Sequence, residues 1–162
     1  MSSATTIVHS PFLDALPGQV RQLLVPLMVS KAFPPGDVLF REGKQHDDIY
    51  LVTQGHVRLE MYVRDRGHLP LLTAGPGDLV GWSPLFTDQP MTATATAMDH
   101  VHTLAFDGRR LQALCESNHE VGYHVMRQIV QVLSDRLVAT RLQLLDLFRE
   151  HLPSRSTIDD EC

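Results

Sequence analysis

Glycine spacing constrains this chain more than any other feature. Gly36, Gly43, Gly55, Gly67 and the pair Gly75 and Gly77 recur at intervals of seven to twelve residues. The apolar runs between them are too short for helices, and the rhythm predicts an all-β roll or sandwich. Val38 to Arg41 reads as a brief strand after Pro34-Pro35-Gly36, and Ile49 to Thr53 as the next. His56 to Arg64 alternates most clearly, which predicts Val57, Leu59, Met61 and Val63 inward and Arg58, Glu60 and Tyr62 outward. Asp65-Arg66-Gly67-His68 turns the chain into Leu69 to Thr73, and Val101 to Phe106 closes the β part.

Helical signals flank this region. Ser10-Pro11 opens a short helix that turns Phe12, Leu13 and Leu16 inward, and Pro17 starts another with Val20, Leu23, Leu24 and Leu27 at helical spacing. Asp107 is suited to cap a helix over Gly108 to Glu116. Ser117 with Glu120 reads as a capping box for a long helix to Arg149. Its apolar residues exceed one stripe, so two sides must be covered, one by the roll and one by a second copy. The expected fold is mainly β: a β-roll of the jelly-roll type over residues 30–106, short N-terminal helices, and C-terminal helices over 107–150. Residues 1–10 and 151–162 are expected to be disordered.

The densest chemistry lies in Gly75 to Ala97, GPGDLVGWSPLFTDQPMTATATA. Gly-Pro-Gly-Asp is turn chemistry. Gly81-Trp82-Ser83-Pro84-Leu85-Phe86 predicts a bend into one short helical turn, and Thr92 to Ala97 a strand with one hydroxyl face and one small face. Such a turn facing hydroxyls can cradle an anion. A buried turn beside threonines chosen for strand propensity explains the same residues.

This segment resembles the phosphate-binding cassette of the cyclic-nucleotide-binding domain family, the sensory half of catabolite-activator-type bacterial regulators. Members typically show Gly-Asp-x-x-Gly-Glu-x-x-Leu, a spacer, then Pro-Arg-[Ser/Thr]-Ala. Gly77-Asp78, Gly81, Leu85-Phe86, Pro90, Thr92 and Ala93 match in order, while Trp82 stands for the glutamate and Met91 for the arginine. Phe33 to Gly43 and Ile49 to Leu59 resemble the family's opening strand pairs, so the resemblance spans residues 12–148. It implies a ligand site at Gly81, Trp82, Ser83, Met91, Thr92 and Ala93. In the family the glutamate accepts a ribose hydroxyl and the arginine pairs with the cyclic phosphate. Here backbone N–H groups and the hydroxyls of Ser83 and Thr92 are left for a cyclic nucleotide or another small anion, with no other cofactor implied. Arg58, Arg64 and Arg66 are candidate substitute cations. Trp82 either fills the emptied space or offers a flat ligand an aromatic platform. The resemblance also makes the long helix a homodimer interface, with Val125, Ile129, Leu133 and Leu137 as its contacts.

Only fourteen residues follow Phe148, against the roughly seventy-residue DNA-reading domain of the family's transcription factors, so a stand-alone sensory module is expected. With a net charge of −5, no DNA binding by this chain is expected, and an unknown protein partner is implied instead. The absence of a leader or a ~20-residue apolar run points to a cytoplasmic chain without membrane partners. Cys115 and Cys162 make no disulfide framework. His100-x-His102 is ligand-like on a strand, yet no glutamate follows until Glu116, and solvent-facing histidines fit better than a metal site. No nucleophile–base pair stands out, so no enzyme is expected.

Overall fold

The computed structural model describes residues 10–151; the expectations for residues 1–9 and for the tail from 152, Cys162 included, lie outside the described residues. Ser10 is not disordered: it is buried, and its Oγ accepts from Leu13 N at 3.1 Å as the cap of the first helix. In chain order come α1 (Pro11–Asp14), α2 (Gly18–Leu24), β1 (Met28–Phe33), β2 (Val38–Phe40), β3 (Asp48–Gln54) and β4 (Val57–Val63). Then follow β5 (Gly67–Ala74), β6 (Leu79–Val80), β7 (Thr94–Ala97), β8 (Val101–Asp107), α3 (Gly108–Ser117) and α4 (His119–His151). Single 3-10 turns lie at Val25–Leu27 and Ser83–Leu85. Contacts within the chain define two units. One reaches Gln128; the other, from Ile129, contains the rest of α4.

Two four-stranded antiparallel sheets, ordered β1-β8-β3-β6 and β2-β7-β4-β5, make the roll. The expected jelly-roll architecture is what the chain adopts, with strands from Met28 to Asp107 rather than 30 to 106. Its core holds Phe40, Tyr50, Val52, Val57, Leu59 and Val80, with Ala93, Ala95 and Ala97 on the small face of the Thr/Ala alternation. Ile49-Tyr50-Leu51-Val52 is a continuous apolar run, and all four are buried, the signature of a strand covered on both faces.

Four local expectations need correction. Val57 and Leu59 point inward, but Val63 is exposed, because the hairpin of β4 and β5 outruns the core. Leu23 is 45 % exposed while Val20 and Leu24 anchor α2, so the apolar stripe is narrower than its spacing suggests. Thr92 precedes β7 and is exposed. The capping box does not form, since Ser117 ends α3 and its Oγ donates to Leu114 O at 3.2 Å. Asn118 caps α4 instead, its Oδ1 accepting from Val121 N at 3.2 Å. The cap at Asp107 is as expected, accepting from Arg110 N at 3.0 Å.

In α4, Val121, Val125 and Ile129 recur every four residues and are buried within the single chain. Of the four expected interface residues, Val125 and Ile129 are therefore already covered. Leu133 is half-buried and Leu137 is 51 % exposed. Among the described residues no helix is long and apolar enough to cross a membrane.

Candidate functional site

The cassette is positioned by turns that the roll holds on both sides. Asp78 Oδ2 accepts from Gly75 N at 2.8 Å, closing the Gly-Pro-Gly-Asp turn. Gly77 N then donates to Val52 O at 2.8 Å, and Val52 N to Asp78 O at 2.9 Å, tying it to β3. These Gly-Asp residues act as structure. After β6 the chain bends at Gly81, whose φ of +72° lies in the left-handed region. An added Cβ there would stand 3.0 Å from Phe40 and 3.2 Å from Asp48 O, so backbone conformation and space both require glycine. The 3-10 turn Ser83–Leu85 follows, with Phe86 N and Thr87 N both donating to Ser83 O at 3.0 and 3.1 Å.

The expected contact residues divide between two environments. Trp82 is half-buried and meets Phe86 edge-on, ring centroids 6.1 Å apart. Ser83 is half-buried and Gly81 buried. Met91, where the resemblance places an arginine, is only 5 % exposed and belongs to the roll core beside Ala93. Its backbone is fixed by Gly43 N donating to Met91 O and Met91 N to Lys44 O. Thr92 turns outward, and the hydroxyl that is engaged is Thr94 Oγ1, which accepts from Glu42 N at 3.0 Å. Glu42 Oε2 in turn accepts from Tyr62 N at 2.8 Å.

None of the three candidate arginines enters the core. Arg58 alternates with buried Val57 and Leu59, and its Nε lies 3.4 Å from Glu60 Oε2. Arg64 and Arg66 lie exposed at the β4–β5 turn. His100 and His102 are exposed too, and among the described residues no group of three or more His, Cys, Asp or Glu could hold a metal. Asp99, just before His100 in the same turn region, accepts from His56 N and His56 Nδ1 at 2.7 and 2.9 Å. Those hydrogen bonds hold its carboxyl below the usual range.

Sequence reasoning missed a joint on the other side of the cassette turn. A cleft of about 480 Å³ is lined by Gln45, His46, Asp47, Pro84, Thr87, Asp88 and Arg109, none of them an expected contact residue. Here the first residue of α3 touches the cassette: Gly108 N donates to Asp47 O at 2.8 Å, and a Cβ on Gly108 would stand 2.8 Å from Pro84 Cβ. Glycine opening a helix straight after its Asp cap was the available signal.

His46 lines this cleft and shares a 3.0 Å hydrogen bond with the Tyr50 hydroxyl. Burial lowers the His46 pKa from its usual 6.5, against the pull of Asp48; burial, helped by Asp48, pushes Tyr50 up to about 12. A histidine whose folded pKa is depressed binds fewer protons in the native state than in the unfolded one. Its contribution is fully present above pH 6.5 and is lost as pH falls through the folded pKa. Melting temperature is therefore expected to drop as pH is lowered below about 6.5. His46→Gln should flatten that part of the profile; an unchanged slope in the variant would refute the assignment.

Comparison with known proteins agrees with this geometry. The family model described as "Cyclic nucleotide-binding domain" matches residues 30–118. The CRP-like cAMP-activated global transcriptional regulator of Mycobacterium tuberculosis is 29 % identical over 123 residues, 76 % of this chain and 53 % of that protein. The chain thus spans about half the length of this curated relative. The N-terminal domain of a transcriptional regulator from Streptomyces coelicolor is 32 % identical with a TM-score of 0.66, over 78 % of this chain and 91 % of that one. The catabolite activator protein of Thermus thermophilus is 26 % identical with a TM-score of 0.68, over 86 % of this chain and 63 % of that one. Roll, cassette turn and long helix follow one another as the resemblance implies, and the family match covers more than half the chain. The chain belongs to the cyclic nucleotide-binding domain family.

Proposed function

We propose that the chain is a regulatory ligand-sensing module with an atypical cassette, which signals through α4 to a protein partner. The observation that carries this is the contact of Gly108 with Pro84 and Asp47. The cassette turn bears directly on α3, and α3 packs against the first turn of α4 at Gly122, where a Cβ would stand 2.7 Å from Cys115 O. A displacement of the turn thus reaches the long helix through rigid backbone contacts. The module works as a homodimer joined through Leu133 and Leu137, in the cytoplasm, without binding DNA itself.

A second reading, a dimeric scaffold that binds no nucleotide, is favoured by the burial of Met91, which places an apolar side chain where a phosphate partner would be needed. Thermal unfolding with cyclic AMP, cyclic GMP and cyclic dinucleotides separates the two, because a ligand that binds only the native state raises its stability by mass action. A sensor is expected to show a concentration-dependent rise with one of these or with another small ligand tested the same way. A flat response throughout would leave the scaffold.

A further inference from the structure

The second unit, α4 from Ile129 onward, is apolar over more of its circumference than a two-stranded seam covers. With 3.6 residues per turn, Leu133, Leu137, Leu144 and Leu147 fall in one sector about 80° wide starting at Ile129. Val138, Leu142 and Leu145 fall in another, about 160–220° round from Ile129. These three are 52 %, 57 % and 58 % exposed. A strict two-stranded seam uses only the narrower stripe, whereas a helix in a four-helix bundle contacts two neighbours and needs the wider face. A row of large apolar side chains left open after dimerisation marks an interaction surface.

We infer that this second stripe seats the same stripe of another copy in antiparallel orientation, so that two dimers join tail to tail as a four-helix bundle. Charge selects both occupant and orientation. Asp135 and Arg149 lie one heptad before and one heptad after Leu142, on the same line of the helix, and both are exposed. Gln131 Nε2 donates to Asp135 Oδ1 at 3.0 Å, which leaves Oδ2 for a further donor. In an antiparallel pair centred on Leu142, Asp135 comes level with Arg149 of the partner subunit, and the two-fold axis repeats the pair at the other end. Parallel pairing would set aspartate against aspartate and arginine against arginine. A dimer whose two long helices run parallel closes through such antiparallel contacts into a four-chain assembly with no face left for filament growth.

The inference rests on the dimer proposed above, and sedimentation velocity at micromolar concentration tests the two separately. The 162-residue chain is expected to run as four chains, and Leu142→Glu with Leu145→Glu as two. Asp135→Arg alone should weaken dimer–dimer association by about ten-fold or more, since each symmetric ion pair becomes a repulsion. Adding Arg149→Asp should restore it, and because both residues are exposed these charge variants stay informative even if the leucine variants misfold. A two-chain parent would overturn the inference and leave the dimer standing. A single-chain parent would overturn both. Four chains insensitive to the leucine and charge variants would show that another surface holds the dimers together.

Discussion

Cyclic AMP is expected to bind this chain no more tightly than high micromolar, and Trp82→Glu with Met91→Arg to improve that affinity at least about ten-fold. A hydrogen bond to a charged group contributes about 1.5–3 kcal/mol, so the two missing groups would together be worth about 3–6 kcal/mol if additive. That sum corresponds to roughly a hundred-fold to ten-thousand-fold in affinity. The expected gain is set lower because the two positions are not alike. Trp82 is half-buried beside exposed Phe86, so a carboxylate there keeps some water in the free protein. Met91 is 5 % exposed within the core, and a guanidinium there must desolvate or displace its neighbours until a phosphate arrives. Trp82→Glu alone should therefore fold nearly as well as the parent and gain less. Met91→Arg alone should lose stability that cyclic AMP partly restores. Calorimetry on all four proteins decides the matter: tight binding by the parent, or no gain in a folded double variant, would refute this reading of the pocket.

The roll was legible because its signals are local. Glycines recurring every seven to twelve residues and the alternation of Val57 to Leu59 follow from backbone sterics and from the two faces of a strand, and both hold in the structure. The register of the cassette was equally legible, since Gly81 is required by a positive φ that few other residues adopt. What failed depends on tertiary context. Val63 has the right parity to face inward, but parity does not say where the core ends. Ser117 and Glu120 have capping-box spacing, yet Asn118 one residue later wins the cap, because α3 continues through Ser117 before the chain turns. Met91 could be read as the loss of an arginine. A methionine is also more often core filler than chemistry, and its burial agrees; what spacing did not give is that Thr92 turns outward, because spacing fixes the order of residues along the cassette and not which of them face in.

Gly108→Ala is expected to destabilise the protein by about 1–3 kcal/mol, a loss of several degrees in melting temperature, although alanine is the better helix former. In an unobstructed helix the change would gain up to about 1 kcal/mol. At Gly108 the new methyl would stand 2.8 Å from Pro84 Cβ and 2.9 Å from Asp47 O. One obstacle is a proline ring in the cassette turn and the other a backbone carbonyl, so neither can swing aside as the end of a flexible side chain would. Gly108 N also donates to that same Asp47 carbonyl, which holds α3 at this distance. The strain must then open the joint between α3 and the cassette turn. Hydrogen exchange at Phe86 and Thr87, whose N–H groups bond to Ser83 O, is expected to quicken in the variant. Gly18→Ala is the control: Gly18 also opens a helix, has nothing within 4 Å of an added Cβ, and should be neutral or mildly stabilising. If the two variants melt alike, or if exchange at Phe86 and Thr87 is unchanged, the cassette turn does not bear on α3, and the route from site to long helix has to be sought elsewhere.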